Sequence, residues 1–427
     1  MADFVEPDRI RAAFAQAMSD MYRAEVPQYG ALVALVEQIN ADVLARDPDL
    51  EAALERAGGL DRLSVERHGA IRVGTADELR QCARAFAIMG MEPVGYYDLA
   101  PAGVPVHSTA FRPVDPAALA RNPFRLFTSL LRLELIADEV LRAEAAAILP
   151  RRQIITPDAL ALIDQAERDG GLEEVDADRF VTELLETFRW HAQATVDAET
   201  YAALLASHRL VADVVSFRGP HINHLTPRTL DIDAGQAAMP AAGISPKESI
   251  EGPPRRRCPV LLRQTSFKAL DEPIDFDGVA GRHMARFGEI EQRGVALTPK
   301  GRALYDALLA QGDDAFAEQP DDWDALRGEG LAYFTYSATG KNELPPDLSL
   351  DALVAGGHVV ADPIVYEDFL PVSAAGIFQS NLGDANRAHY EGSSNKAAFE
   401  AALGRPVIDE FALYAAQEAA SIAALRP

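Results

Sequence analysis

Cysteine is nearly absent from this chain. Two residues, Cys82 and Cys258, serve 427 positions. They form no C-x-x-C spacing and exclude a disulfide framework, so a reducing compartment, the cytoplasm, is expected. Long apolar runs are missing too: nothing approaches the roughly 18 residues of a membrane-spanning helix. The opening decapeptide carries Asp3, Glu6 and Asp8 with no apolar stretch behind it, so no secretory signal is expected. Positive charge is scarce. Forty Lys and Arg stand against 65 Asp and Glu, a net charge of −25. That balance argues against nucleic acid or an anionic membrane as partner. The one basic run, Arg255-Arg256-Arg257, follows Pro253-Pro254 and reads as a solvated turn. What remains is a globular composition, 48% apolar, long enough for two or three domains.

The chain is organised around a repeat. His68 and Arg72 form His-x-x-x-Arg, and His224 and Arg228 form it again 156 residues later. In each copy a second piece follows 41 residues after the His: Thr109-Ala110-Phe111-Arg112 and Thr265-Ser266-Phe267-Lys268. Shared offsets of this kind mark two related folding modules. A third piece, Phe287 to Arg293, reads as a strand with Glu289 and Glu291 on one face. It pairs with Phe127 to Arg132, placing Ser129 opposite Glu289 at an offset of 160, as a short loop insertion would produce.

Taken in order, residues 1–62 read as an N-terminal helical cap, with helices over Val5 to Met21 and Tyr29 to Leu44. Residues 63–135 read as a first βαβββ-like module. Its strand through His68 to Val73 leads to a helix over Ala76 to Met89, capped by Thr75 with Glu78 and stopped at Gly90. Strands over Pro93 to Asp98, Val104 to Arg112 and Arg125 to Leu133 complete it. Residues 136–210 read as a helical insertion, with helices over Ala137 to Ile148, Pro157 to Asp169, Asp176 to Ala194 and Ala198 to His208. The second βαβββ-like module is expected over 211–295, with a strand from Pro259 to Lys268 and a loop-rich replacement for its helix. Residues 296–427 read as a mixed C-terminal region with helices over Lys300 to Leu309, Lys396 to Leu403 and Glu410 to Ala424 and a strand over Val359 to Tyr366. The fold class is therefore α+β, two paired modules forming a sheet cup that holds a metal.

Two His and one carboxylate from separate strands are the ligand set of a non-haem Fe(II) site with open positions. Nine histidines occur; His68 and His224 stand out because they occupy equivalent places in the repeat. His221 competes with His224, the shared offset favouring His224; His107, on an alternating strand, is a candidate to line the same cavity, but its repeat partner is Arg263, so the symmetry does not extend to it. Glu289 and Glu291 share a face, so periodicity does not choose between them. Arg72, at even spacing from His68, suits a bidentate contact with a substrate carboxylate; the plainer reading is an ion pair with an acidic neighbour. Pro371 to Phe378 is small and apolar, fitting either a tight turn or backbone approach to a ligand.

These residues carry a resemblance. The paired modules resemble the vicinal oxygen chelate superfamily, and Phe287-Gly288-Glu289-Ile290-Glu291-Gln292-Arg293 is similar to the carboxylate-bearing strand of 4-hydroxyphenylpyruvate dioxygenases, which favours Glu289. Arg67 to Arg72, Met91 to Asp98, Asn122 to Arg125, Gly219 to Arg228 and Asp368 to Ser373 resemble the 2-oxoadipate dioxygenase/decarboxylase family, the 2-hydroxyglutarate synthases of bacterial lysine catabolism. The likeness runs from about residue 20 to the C-terminus. It implies Fe(II) held by His68, His224 and Glu289, a substrate bound by Arg72 and by backbone near Val372 and Ser373, and no further catalytic side chain. The implied reaction takes a 2-oxo acid and O2, releasing CO2 and hydroxylating the remaining chain of the same molecule. Two rivals are a redox-silent lyase or isomerase of the superfamily, holding Zn, Ni or Mn with a fourth protein ligand, and a non-catalytic binding protein. Ser129 in the fourth symmetric place argues for an open iron site.

Overall fold

Two long helices, α1 (Pro7–Glu25) and α2 (Pro27–Arg46), open the chain. Pro27 separates them: it fits the first turn of α2 but drives Val26 out of helical geometry, to φ −125° and ψ 85°. The computed structural model describes residues 4–340, 344–370 and 395–425. On α1 the buried positions Ile10, Phe14, Met18, Met21 and Tyr22 recur at helical spacing and face the rest of the molecule.

The first module follows as β1 (Arg67–Val73), α3 (Ala76–Ile88), β2 (Glu92–Asp98), β3 (Val106–Arg112) and β4 (Arg125–Leu131). Thr75 caps α3 by accepting from the Glu78 N–H, and the Glu78 carboxylate accepts from the Gly74 N–H. Gly90 ends the helix with a φ of +67°.

Helices α4 (Glu139–Ile148), α5 (Pro157–Asp169), α6 (Glu174–Leu185), α7 (Ala198–Ser207) and α8 (Arg209–Val215) lie between the modules. The helix expected to run to Ala194 stops at Leu185, and a short 3-10 turn over Glu186–Phe188 follows. The chain then turns extended, and the Ala194 N–H donates to the Asp275 carbonyl. That pairing is with a distant segment, which helical periodicity does not report.

The second module comprises β5 (Leu225–Pro227), α9 (Ile232–Ala238), β6 (Leu262–Ser266), β7 (Asp271–Phe276), β8 (Val279–Met284) and β9 (Glu289–Arg293). The hairpin β7–β8 is absent from the pattern-based expectation; its alternation is masked by exposed positions such as Val279 and Met284. It also explains the repeat offset. The first module fills the equivalent connection with a short helix at Pro116–Arg121, the second with this hairpin, and the length difference carries the offset from 156 to 160.

Strand pairing makes the repeat physical. The first sheet runs β2-β3-β4-β1-β5, with β1 parallel to β4 and antiparallel to β5. A parallel bridge between Arg228 and Glu291 then joins the end of β5 to β9, which pairs antiparallel with β6. The stretch around Pro246 and Glu251 bridges antiparallel to the β6 side, standing where β2 stands in the first module. The two halves therefore meet at the antiparallel β1–β5 seam. The chain is an α+β protein of two paired modules.

Beyond them lie α10 (Pro299–Leu309), an antiparallel pair β10 (Phe334–Ala338) and β11 (Val359–Pro363), α11 (Lys396–Leu403) and α12 (Glu410–Leu425). Among the described residues no helix is long and apolar enough to cross a membrane. Val372 and Ser373 lie outside the described residues.

Candidate metal centre

The β1–β5 seam is unusually close at Gly69. A Cβ there would stand 2.5 Å from the Ile222 side chain and 3.1 Å from the His224 carbonyl oxygen. A side chain there would have to push Ile222 aside and press on the backbone, so glycine suits the close approach of the two segments, and the Asn223 N–H donates to the Ala70 carbonyl across the gap. His68 and His224 are thereby drawn together, with ring centroids 5.3 Å apart. Gly288 performs the same service beside Glu289: a Cβ would lie 1.9 Å from the Phe267 ring. From outside, the Tyr22 hydroxyl on α1 lies 2.6 Å from the Phe287 carbonyl oxygen and 3.1 Å from that of Asn223, so one helix braces both ligand-bearing segments.

The outcome is a buried group. His68, His224 and Glu289 offer ligand atoms within 4.8 Å of one another, the one such His/Cys/Asp/Glu group among the described residues. His68 Nε2 is 3.2 Å from Glu289 Oε1, and His224 Nε2 is 3.9 Å from the same oxygen. All three residues are fully buried. Both ring nitrogens of His224 and Glu289 Oε2 lack a hydrogen-bond partner, while His68 Nε2 and Nδ1 face the Glu289 and Glu291 carboxylates at 3.2 and 3.0 Å. Orphaned donors and acceptors are costly in a dry interior. A metal ion bound here would take one nitrogen of each ring and a Glu289 oxygen, and two imidazoles with a carboxylate are a donor set for it.

Glu289 Oε1 is fixed by Thr226 Oγ1 at 3.1 Å and Gln264 Nε2 at 2.9 Å. Glu291 has a different role. Its Oε2 sits 3.0 Å from His68 Nδ1, on the ring edge away from Glu289, and both its oxygens accept from Arg293 at 2.8 and 2.9 Å. A carboxylate so placed would fix the orientation of the His68 ring. Burial pushes Glu291 up, but Arg293 and His68 outweigh it and bring its pKa down to about 2. Burial holds His224 well below its ordinary value, aided by the charges of His68 and Arg72. Glu291→Gln is expected to weaken metal affinity about 10–100-fold, read by metal titration with the fold intact. Unchanged affinity would show that Glu291 does not orient His68.

Other candidates are placed elsewhere. His221 Nε2 faces Asp213 at 3.2 Å, and its ring packs edge-on to Trp190. His107 packs against Tyr96 and Phe399. Ser129 shares a hydrogen bond with Ser108. Arg72 donates to Asp213 at 2.7 Å, so the plainer alternative, an acidic neighbour, does exist.

Sequence reasoning missed the charged groups behind the ligands. Glu66 contacts Arg62, Arg125 and Arg228, and Glu367 contacts Arg62 and Arg125. Phe369 lies 5.0 Å from the His68 ring, with Arg293 over its other side. Glu367 lies more than 200 residues from Arg62 and Arg125, and Phe369 lies 76 from Arg293 and about 300 from His68, so no local spacing encodes them. A cavity of about 770 Å³ opens among Leu50, Arg228, Arg255, Asp321 and Trp323; none of the three ligand residues lines it.

A buried two-histidine, one-carboxylate group at the seam of paired modules is a donor set able to hold a metal ion. The sequence profile described as 2-oxoadipate dioxygenase/decarboxylase matches residues 14–381, and the chain belongs to that family. It is 58% identical over 450 aligned residues to the 2-oxoadipate dioxygenase/decarboxylase of Pseudomonas putida, spanning 99% of this chain and 97% of the relative. The Mycobacterium bovis protein of the same description is 44% identical over 427 residues, 96% of each chain. The crystal structure of the hydroxyglutarate synthase from Pseudomonas putida in complex with 2-oxoadipate superimposes with a TM-score of 0.93 at 57% identity, covering 100% of this chain and 99% of that one.

Proposed function

We propose that this chain is an Fe(II)-dependent dioxygenase/decarboxylase that converts 2-oxoadipate and O2 to 2-hydroxyglutarate and CO2, acting in the cytoplasm in lysine catabolism. The observation that carries the reading is the buried His68–His224–Glu289 group, in a family whose members are named for this substrate. Fe(II) held there supplies a Lewis-acid centre for the 2-oxo acid and the redox chemistry of O2. The protein's part is positioning. Glu289 is anchored through Thr226 and Gln264, and Glu291 sets the His68 ring. Arg72 takes the carboxylate at the far end of the substrate, and the backbone at Val372 and Ser373 takes part of the remainder. Deep burial excludes bulk water from the reacting end.

The atoms balance without a second organic substrate: 2-oxoadipate plus one O2 equals 2-hydroxyglutarate plus one CO2. The chain length also suits this outcome, because a substrate held at both ends would present the carbon beside the new carboxylate to the His68–His224–Glu289 group. With Fe(II)-loaded protein and labelled O2, one labelled oxygen is expected in the new carboxylate and one in the new hydroxyl, apart from exchange with water. Glutarate as sole product, or an absolute need for a co-substrate, would defeat the reading.

Arg72→Lys is expected to be far from conservative, since Lys lacks the planar fork. Loss of one desolvated charge pair costs about 2–5 kcal/mol. The deficit is expected in kcat/KM for dicarboxylic 2-oxo acids, with metal content unchanged. Normal kinetics in that variant would remove Arg72 from the site.

A further inference from the structure

We infer that Asp213 is a positioning residue that holds Arg72 in the orientation needed for the distal carboxylate, and so determines selectivity for dicarboxylic over monocarboxylic 2-oxo acids. The inference rests on the proposed role of Arg72 and goes beyond it by naming the device that sets the guanidinium.

Asp213 lies on α8, buried to 5% exposure, at the centre of a cluster of side chains drawn from separate segments. Its Oδ2 accepts from Arg72 Nη1 at 2.7 Å, reaching β1. Its Oδ1 stands 2.9 Å from His283 Nε2 on β8 and 3.2 Å from His221 Nε2 in the stretch before β5. His283 Nδ1 is in turn 2.8 Å from the Tyr201 hydroxyl on α7. The Trp190 ring lies parallel to His283 and edge-on to His221, closing the cluster on its apolar side. Burial opposes the charge on Asp213, but His221, His283 and Arg72 together keep its pKa well below the ordinary carboxylate value.

Such a cluster fixes its members because each has a partner on a different element. Fixing Arg72 matters because its side chain is long and rotamer-rich, whereas a carboxylate is recognised only by a correctly aimed plane. Arg72 also sits four residues from His68 on β1, on the same strand face. Asp213, His283 and Tyr201 are outside the ligand group itself. The cluster therefore reaches the site through Arg72, and none of its members belongs to the ligand group. His221, three residues before His224, belongs to this cluster and supports Asp213 from there.

The test compares 2-oxoadipate with 2-oxohexanoate, which has the same chain length and no distal carboxylate, on the iron-loaded full chain. Asp213→Asn keeps the volume and removes the charge. Its kcat/KM is expected to fall roughly 10–100-fold for 2-oxoadipate, mainly through KM, and less than about twofold for 2-oxohexanoate, with metal content unchanged. An equal fall for both substrates would reduce Asp213 to a structural ion pair and overturn the inference. If Asp213→Asn keeps the wild-type selectivity while Arg72→Lys loses it, the inference fails and the reading of Arg72 stands. If Arg72→Lys itself keeps the selectivity, the reading of Arg72 fails first. Should Asp213→Asn not fold, His283→Gln and His283→Leu put the same question. Gln retains a donor toward Asp213 and is expected to keep selectivity, Leu to lower it; equal selectivity in the two overturns the inference.

Discussion

His224→Ala is expected to lose bound metal and turnover together, while His221→Ala keeps its metal. The two residues are three apart in one stretch, yet their surroundings differ completely. Both nitrogens of the His224 ring are buried without a hydrogen-bond partner, and the residue converges with His68 and Glu289. The His221 ring instead faces Asp213 and leans on Trp190. Deleting a direct donor from a three-residue set leaves two, so affinity falls by more than the roughly 10–100-fold of an outer partner. Metal analysis after equilibration with Fe(II), alongside O2 uptake, measures both effects. Full metal in His224→Ala with loss in His221→Ala would exchange their roles.

The second large effect concerns stability. Arg112 on β3 donates to both oxygens of Asp368, through Nε at 2.7 Å and Nη2 at 2.9 Å, with the side chains 2% and 0% exposed. The Tyr414 hydroxyl on α12 bonds to the same carboxylate, so one pair ties the first module to the C-terminal region. Next to Asp368 is Phe369, packed on His68 and Phe127. Removing one partner of a buried pair strands the other charge, at about 3–5 kcal/mol. Asp368→Leu is expected to lower the unfolding midpoint accordingly. The double variant Arg112→Leu/Asp368→Leu is expected to cost clearly less than the two single changes summed, because no charge is left unpaired. Additive costs in denaturant unfolding would mean that the pair is not coupled.

Much of the architecture is legible in the sequence because its signals are local. Thr75 with Glu78 and Gly90 bracket a helix through capping chemistry. The offset between His68 and His224 reports a duplicated module whatever the final packing. The β7–β8 hairpin is not legible, since Val279 and Met284 are exposed apolar residues that blur the alternation. Helix α8 is equally hidden, although its Asp213 proves to be the partner of Arg72.

The sequence by itself carried the two-module plan, the resemblance to the family and His68; its shared offset favoured His224 over His221, and the resemblance, not spacing, favoured Glu289 over Glu291. Repetition and strand periodicity are properties of the chain, and they place side chains on faces. The tertiary structure alone decided partners. Glu289 and Glu291 point to one face, and only the register of β9 against β5 and β6 brings Thr226 and Gln264 to the first and His68 Nδ1 to the second. His221 is set apart from His224 by Asp213, and Arg112 meets its carboxylate 256 residues away. Periodicity fixes which way a side chain faces; what it meets there depends on chain segments that only folding brings near.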